Sequence, residues 1–290
     1  MTIKKIESYT LPQEADIPTN KVNWSFEPKK SVLLIHDMQE YFVDFYGENS
    51  PLMKSVIDNI QQMINYCRTQ NIPIIYTAQP KDQSDEDRAL LNDMWGRGLP
   101  LHPAKQPIVS ELTPKHDDIV LTKWRYSAFY RSSLADIMKQ DGRDQLLICG
   151  IYGHIGVMQT AVDAFMQDIK PFLIADAVAD FSRADHLMAL DYIARNAGRV
   201  VTKQSIISTS STFDWTKQAL RAQIIPYIED AEELTDDDNL VDFGLDSVVV
   251  MQLMEQWRQF DVEVSFVELA KSPTINGFWR ILSERSKQPC

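Results

Sequence analysis

The feature that most constrains the fold is a series of short apolar runs that alternate with stretches of helical periodicity. Five runs have the length of buried strands, at residues 31–37, 73–77, 118–122, 145–149 and 170–175. Helical patterns occupy residues 51–70, 132–141, 158–168 and 183–197. Val200 and Val201 are expected to start a sixth strand. This alternation predicts the α/β class, with a mainly parallel sheet in a three-layer domain covered by helices on both faces.

Polar residues follow several of the predicted strands. Asp37, Gln79, Lys123 and the turn 150–156 each come just after one of them. In open parallel sheets, ligands bind outside the carboxyl ends of the strands. The sequence therefore predicts a site at this edge of the sheet.

The last quarter of the chain has a different pattern, without a convincing strand. Helical patterns cover residues 215–228, where Pro226 bends or ends the helix, and then 247–260, 266–270 and 275–285. The small polar stretch 208–212 is the best candidate for a linker. We therefore expect two domains: an α/β domain at residues 1–210 and a small four-helix domain at residues 211–290, which is large enough to fold alone.

An acidic loop ending in Gly244, Leu245, Asp246 and Ser247 leads directly into the second of these helices. Asp and Ser are preferred helix caps, so a simple capping role is one interpretation. The longer pattern is similar to the 4′-phosphopantetheine attachment site of acyl, aryl and peptidyl carrier domains, which implies that Ser247 carries the cofactor. A phosphodiester there would lie near a helix N-terminus, whose dipole and free N–H groups favour an anion.

Charge and cysteine content exclude several classes of function. The net charge is −12, and residues 214–290 contain 15 acidic and seven basic residues. This balance argues against binding to nucleic acid or to an anionic membrane, and it suits docking to basic patches on partner proteins. Three cysteines give neither a disulfide framework nor zinc spacing, and the N-terminus lacks the apolar core of a signal peptide. A cytoplasmic protein is expected.

The first domain also resembles a known enzyme superfamily. Ile35-His36-Asp37, the turn 150–156 and the stretch 170–190 resemble isochorismatase-like hydrolases over about residues 15–210. With the carrier domain appended, the whole chain resembles the bifunctional isochorismatase and aryl carrier proteins of catechol siderophore synthesis.

Many members of that superfamily use an Asp, a Lys and a nucleophilic Cys. Asp37 and Lys123 match the first two, whereas Gly156 stands where the Cys is expected. Cys149 falls inside a predicted strand and is expected in the core. The resemblance therefore implies an isochorismatase without a covalent intermediate, rather than an amidase. No metal is expected, because the histidines show no metal spacing.

Isochorismate is a vinyl ether, and its hydrolysis requires an acid at the vinyl carbon. Asp37 is the candidate acid; burial and the anionic substrate favour its protonated form, whereas the charge of Lys123 opposes it. Lys123 is expected to orient Asp37 or to bind a carboxylate. The absent side chain of Gly156 is expected to leave room for the ring or the attacking water. His36 is expected to point to the opposite face of the sheet, in a buried structural role.

Five further residues are expected to contact the substrate. Its carboxylate or hydroxyl groups are expected to contact Gln79, Arg88 and Tyr152. Arg88 lies in a charged run, however, and such a run more often forms a solvated surface. Phe42 and Trp95 are expected to form an apolar wall.

The resemblance also implies partners. These are a phosphopantetheinyl transferase, a 2,3-dihydroxybenzoate-AMP ligase and a condensation domain of a nonribosomal peptide synthetase. The cargo on Ser247 would be 2,3-dihydroxybenzoate. Phe266 and Ala270 are candidates for condensation-domain contact, or equally for the core, and a homo-oligomer is expected. Two alternatives remain open: hydrolysis of a related vinyl ether such as aminodeoxyisochorismate, and a non-enzymatic scaffold that presents the carrier domain.

Overall fold

The computed structural model describes residues 3–209, 216–229, 231–258, 260 and 262–285. The chain forms two compact units, Met1–Ile207 and Ser208–Cys290. The predicted linker 208–212 lies mostly outside the described residues, and its first two residues belong instead to a helix, Lys203–Thr209, which packs Ile206 into the core of the first unit. The predicted boundary between residues 210 and 211 stays a prediction.

The first unit is built on a six-stranded parallel sheet, as the alternating pattern predicted. The strands are β1 Ser31–His36, β2 Ile74–Ala78, β3 Ile119–Thr122, β4 Gln145–Gly150, β5 Lys170–Val178 and β6 Arg199–Val201. Their order is β3-β2-β1-β4-β5-β6. The chain therefore winds outward in both directions from the central pair of β1 and β4, and the point between them is where ligands bind in open α/β sheets.

Helices cover both faces of this sheet. In chain order they are α1 Glu40–Val43, α2 Pro51–Thr69, α3 Asp85–Arg88, α4 Leu91–Trp95, α5 Leu134–Gln140, α6 Met158–Met166, α7 Arg183–Asn196 and α8 Lys203–Thr209. The sequence did not predict α1, α3, α4 or α8, which are four to seven residues long and too short to show a clear helical period.

Side-chain alternation along the strands divides the core into two layers. In β1, Leu33 and Ile35 pack in the layer that contains α2, whereas Val32 and Leu34 pack in the layer that contains α5, α6 and α7. The helix α2 begins where the Ser50 hydroxyl accepts a hydrogen bond from the Met53 amide (3.3 Å). The predicted three-layer arrangement is confirmed.

The described residues of the second unit form helices joined by loops, without a strand. Its helices are α9 Lys217–Ile224, α10 Ser247–Arg258, α11 Phe266–Ala270 and α12 Ile275–Arg285. They pack around Trp257, which is fully buried and donates its indole N–H to Gln223 Oε1 (2.9 Å). The loop before α10 is anchored by buried Leu240 and Leu245, and Gly244 turns it with φ +92°, a conformation that favours glycine.

No helix in the described part of the chain combines the length and the apolar character that a membrane span requires.

Candidate active site and carrier site

A cavity opens at the carboxyl ends of β1 to β4 in the first unit. It encloses about 640 Å³ of space free of protein atoms, part of it open to solvent, which suits a small-molecule ligand. All eight residues that the sequence predicted for this site line the cavity: Asp37, Phe42, Gln79, Arg88, Trp95, Lys123, Tyr152 and Gly156. The sheet brings them together because parallel strands end at the same edge.

Asp37 and Lys123 form a buried pair at the bottom of the cavity. Asp37 leaves β1 with φ +51°, which turns its side chain toward the end of β2. There the Thr77 hydroxyl donates to Asp37 Oδ1 (2.6 Å), and the Lys123 ammonium donates to Oδ2 (3.1 Å). Asp37 is 7% exposed and Lys123 is 2% exposed. Burial lowers the pKa of Lys123, although the Asp37 carboxylate opposes this effect.

His36 contradicts the expectation that it points to the opposite face of the sheet. It lines the same cavity, and its Nδ1 lies 3.6 Å from Asp37 Oδ2. Strand alternation does not extend to Asp37, because that residue lies beyond the last residue of β1 and has a positive φ. Burial lowers the pKa of His36 to about 4, so the imidazole is neutral near pH 7. Both ring nitrogens face a carbonyl oxygen, Nδ1 that of Ile151 (2.8 Å) and Nε2 that of Tyr126 (3.4 Å); the shorter distance assigns the single proton of the neutral ring to Nδ1, which donates to Ile151.

The reason given for Gly156 also requires correction. The glycine lines the cavity, but the position of a Cβ there would lie only 2.9 Å from His36 Nε2 and 3.1 Å from the Tyr126 oxygen. The space beside Gly156 is therefore filled by the His36 ring and is not available for the substrate ring or a water. Gly156 is needed so that the turn Gly153–Val157 can pack against this imidazole.

Arg88 is buried, although the charged run in which it lies is typical of a solvated surface. It is 4% exposed in α3, and its Nε donates to the Gly96 oxygen (2.7 Å). No carboxylate among the described residues lies within 4.0 Å of its guanidinium. Gly98 makes room for it, because a Cβ there would meet Arg88 Nη2 at 2.5 Å. Arg88 therefore presents a desolvated positive charge to the cavity.

The remaining residues that were predicted to contact the substrate differ in the hydrogen bonds and apolar surface that they can provide to it. The backbone of Gln79 bonds to the side chain of Gln39, and the Gln79 amide side chain makes no hydrogen bond within the described residues. Tyr152 donates its hydroxyl to the Phe42 oxygen (2.9 Å). The hydroxyl proton of Tyr152 is therefore already used, so this oxygen could only accept from a hydroxyl group of the substrate, and the expected contact between Tyr152 and a carboxylate or hydroxyl group stays a prediction. Phe42 packs edge-on against Tyr152, and Trp95 packs against Phe181, so aromatic rings do form a wall.

Several residues of the cavity were missed by sequence reasoning. They are Ile3, Tyr41, Leu91, Arg125, Tyr126, Ile151, Ile155 and Phe181. Arg125 and Tyr126 follow Lys123 within three residues, so the rule that strand ends carry the site was sufficient to find them. Phe181 follows the end of β5 by three residues and was within reach of the same rule.

The cysteines of the first unit are core residues, as predicted for Cys149. Both Cys67 and Cys149 are fully buried in one hydrophobic cluster. Burial raises the pKa of Cys67 to about 12 and that of Cys149 well above its usual value, so neither thiol suits nucleophilic catalysis. Within the described residues, no group of histidine, cysteine or acidic side chains is placed to hold a metal ion.

Ser247 is the first residue of α10 and is exposed. Its hydroxyl makes no hydrogen bond to any described residue, so it is accessible to a modifying enzyme and suits covalent attachment. The preceding Asp246 caps the helix, since its Oδ1 accepts from the amides of Val248 (2.9 Å) and Val249 (2.8 Å). This corrects the expectation of free N–H groups for a phosphodiester: a carboxylate already occupies two of them.

The predicted docking residues of the second unit lie on its surface rather than in its core. Phe266 is 40% exposed and Ala270 is exposed, whereas Leu269 between them is buried. Met251 is 54% exposed in α10, and Val248, next to Ser247, is also exposed. Two helices of this unit therefore carry exposed apolar side chains.

The fold and the two sites together define a class of protein. The chain joins two domains. The first is an α/β domain with a buried aspartate–lysine pair and, among the described residues, no cysteine nucleophile lining its cavity. The second is a helical carrier domain.

Comparison with known proteins places the chain within this class. Residues 31–205 match the isochorismatase domain, and residues 218–282 match the phosphopantetheine attachment site. The chain belongs to the isochorismatase family and carries a phosphopantetheine attachment domain. It is 55% identical over 287 residues to enterobactin synthase component B of Escherichia coli strain K12, a match that covers 99% of this chain and 100% of the relative.

One further relative supports this assignment, and one solved structure shares the fold. Over 304 residues the chain is 45% identical to the isochorismatase of Bacillus subtilis strain 168, covering 99% of this chain and 97% of the relative. The solved structure of a cysteine hydrolase from Pseudomonas syringae pv. phaseolicola 1448A has a TM-score of 0.60 at 22% identity. That match covers 66% of this chain and 96% of the other, and it shows the fold alone.

Proposed function

We propose that the first unit hydrolyses isochorismate to 2,3-dihydro-2,3-dihydroxybenzoate and pyruvate. The second unit carries 2,3-dihydroxybenzoate as a thioester for nonribosomal siderophore assembly. The observation that carries the enzymatic part is the buried Asp37–Lys123 pair in a cavity that also holds the unpaired cation of Arg88. An acid and a carboxylate-binding cation are what the hydrolysis of an anionic vinyl ether requires.

Asp37 acts as the general acid. It transfers a proton to the vinyl methylene carbon, which becomes a methyl group and leaves an oxocarbenium ion. Water adds to that ion and gives up a proton to the Asp37 carboxylate, forming a hemiketal. Breakage of the carbon–oxygen bond then releases pyruvate and the ring alcohol: Asp37 gives the returned proton to the leaving oxygen, and the hemiketal hydroxyl passes its own proton to the Asp37 carboxylate as it becomes the pyruvate carbonyl, which restores the acid. Lys123 and Thr77 hold the carboxyl group in place throughout (3.1 and 2.6 Å).

Binding of the substrate rests on Arg88, Gln79 and the aromatic wall. Arg88 binds one carboxylate, because a buried guanidinium that has no carboxylate partner among the described residues favours an anionic ligand. The side-chain amide of Gln79 is available for a hydroxyl or carboxylate of the ring. Phe42 and Trp95 cover the apolar face of the ring and exclude bulk water.

The enzymatic proposal is tested by measuring pyruvate release from isochorismate. Wild-type protein is expected to turn over, and Asp37→Asn is expected to lose at least about 100-fold in kcat, the contribution typical of general acid catalysis. Asp136→Asn, at an exposed position in α5, is the matched control and is expected to behave as wild type. Near-normal turnover by Asp37→Asn would remove Asp37 from the mechanism. Faster turnover of aminodeoxyisochorismate would reassign the substrate, and no turnover of either would favour the scaffold.

Ser247 receives 4′-phosphopantetheine from a phosphopantetheinyl transferase. When bound, the group supplies a thiol on a flexible arm that holds the aryl acid as a thioester. The partners are then a 2,3-dihydroxybenzoate-AMP ligase and a condensation domain, and exposed Phe266 and Ala270 are proposed contacts for the latter. Intact mass after incubation with coenzyme A and transferase tests the attachment. An adduct is expected on wild type and on the control Ser272→Ala, and its persistence on Ser247→Ala would refute the assignment.

The sparse cysteines also support the proposal that the protein works in the cytoplasm, which cell fractionation tests. The predicted homo-oligomer stays a prediction, and analytical ultracentrifugation measures it directly.

A further inference from the structure

The charges around the cavity do not balance. Lys123 is paired with Asp37, and His36 is neutral near pH 7 because burial lowers its pKa to about 4. Two guanidinium groups also line the cavity, those of Arg88 and Arg125. Among the described residues, no carboxylate lies within 4.0 Å of either. The cavity therefore has two positive charges in excess.

Arg125 is held in place by neutral groups. Its Nη1 donates to the backbone oxygens of Asp87 (2.7 Å) and Trp124 (2.8 Å), and its guanidinium lies 5.6 Å from the centre of the Tyr130 ring. The carboxylate of Asp87 accepts instead from the Ser84 hydroxyl (3.0 Å). These contacts fix the position of the guanidinium but leave its charge uncompensated. A partly buried cation without a counter-ion is costly, and an anionic ligand removes this cost.

Arg88 and Arg125 are also close enough to influence each other. Burial lowers the pKa of Arg88, and the charge of Arg125 lowers it further. Arg88 belongs to α3, and Arg125 bonds to the backbone of that same helix through Asp87. Two like charges facing one cavity repel each other unless a ligand with two negative groups lies between them.

We propose that Arg125 is a substrate-binding residue that takes the second carboxylate of a dicarboxylate, while Arg88 takes the first. This inference rests on the proposed function, and it narrows the substrate class to small cyclic ethers with two carboxylates. Holding both ends fixes the ether between them over the Asp37 side chain. A monocarboxylate such as 2,3-dihydroxybenzoate fills only one of the two cation sites.

The first test compares Arg125→Gln with Arg131→Gln. Arg131 is a matched control, because it is an exposed arginine beside the same Tyr130 ring (5.4 Å) and does not line the cavity. Arg125→Gln is expected to raise the KM for isochorismate about 10- to 100-fold, the range for losing one charged hydrogen-bonded contact. Arg131→Gln is expected to stay within about twofold of wild type. A KM for Arg125→Gln within about twofold of the wild-type value would overturn the proposal.

The second test separates direct binding from an effect through α3. If Arg125 only positions Arg88 by holding the Asp87 oxygen, the double variant Arg88→Gln/Arg125→Gln will bind no worse than Arg88→Gln alone. If each guanidinium binds its own carboxylate, the two losses will multiply. Calorimetry with 2,3-dihydroxybenzoate adds a further readout. The affinity for this monocarboxylate is expected to fall in only one of the two single variants, Arg88→Gln or Arg125→Gln. An equal fall in both variants would contradict the assignment of one carboxylate to each arginine.

These measurements remain informative if the proposed reaction is wrong. Absence of pyruvate release by wild-type protein would refute the proposed function. The dissociation constant of isochorismate, measured by calorimetry on Asp37→Asn with and without Arg125→Gln, would still decide whether Arg125 binds a dicarboxylate. Thermal melting of each variant shows whether it is folded.

Discussion

Gly156→Ala tests how closely the turn after β4 packs on the active-site imidazole. The added methyl carbon would clash with His36 Cε1, and it would lie 2.9 Å from His36 Nε2 and 3.1 Å from the Tyr126 oxygen, whereas ordinary van der Waals contacts of such a carbon are 3.4–4 Å. His36 cannot easily withdraw, because Nδ1 is bonded to the Ile151 oxygen at 2.8 Å. Overpacking of this kind costs about 1–3 kcal/mol.

Two effects are expected from this substitution. The melting temperature of the first unit should fall by roughly 2–12 °C, at about 2–4 °C per kcal/mol for a unit of this size. The kcat for isochorismate should fall about 10- to 100-fold, because His36 lies 3.6 Å from the Asp37 carboxylate and its displacement moves the acid. Circular dichroism melting and pyruvate release measure the two quantities.

The steric reasoning is checked by repeating Gly156→Ala in a His36→Ala background. Without the imidazole the new methyl group has space, so the cost of Gly156→Ala should shrink to a fraction of its value in wild type. The reasoning would be refuted by equal costs in both backgrounds. A normal melting temperature and kcat for Gly156→Ala alone would refute it equally.

Three further predictions follow from buried and capping groups. Burial lowers the pKa of His186 to about 4 from 6.5, so at acidic pH the unfolded chain binds a proton at this histidine more tightly than the folded chain does. The free energy of unfolding should therefore fall by about 2 kcal/mol through His186 as the pH is lowered from 7.5 to 5. Urea unfolding of His186→Gln should lack this loss. Cys67 and Cys149 should resist thiol reagents at pH 8 until the first unit unfolds, and rapid labelling of the native protein at either would contradict their burial. Asp246→Ala should destabilise the second unit by about 1 kcal/mol through loss of the cap on α10, measured by its melting temperature, while Asp242→Ala leaves the cap intact.

Much of the first unit could be predicted because parallel strands impose a simple geometry. Buried apolar runs showed where the strands lie, and the polar residues after them had to meet at one edge of the sheet. Asp37, Gln79 and Lys123 were found in this way, and the structure brings them into one cavity. The same rule extends to Arg125, which lies only two residues beyond Lys123 and lines the same cavity.

The misplaced residues depend on geometry that a linear pattern does not contain. His36 was assigned to the wrong face because a single positive φ at Asp37 ends the alternation that the prediction assumed. The role of Gly156 depends on His36, so one error led to the other. Arg88 was predicted to contact the substrate and does line the cavity, but its burial could not be predicted, because its neighbours are charged and its short helix lacks a clear period.

General acid catalysis by Asp37 requires that a carboxyl group beside a lysine hold a proton while the substrate is bound. In the proposed complex, a dicarboxylate neutralises Arg88 and Arg125 and adds negative charge to the cavity that Asp37 also lines. The proposed mechanism therefore requires that the substrate and a proton be bound together.

This coupling is testable with the saturated lactyl ether analogue of isochorismate, which keeps both carboxylates but has no vinyl carbon to protonate. Calorimetry in buffers of different ionisation enthalpy should show uptake of up to one proton on binding to wild-type protein near pH 7. The uptake should vanish in Asp37→Asn and diminish in Arg125→Gln, where one cation is no longer available to be neutralised. Binding of the analogue without proton uptake by wild type would refute this coupling between the substrate and a proton on Asp37.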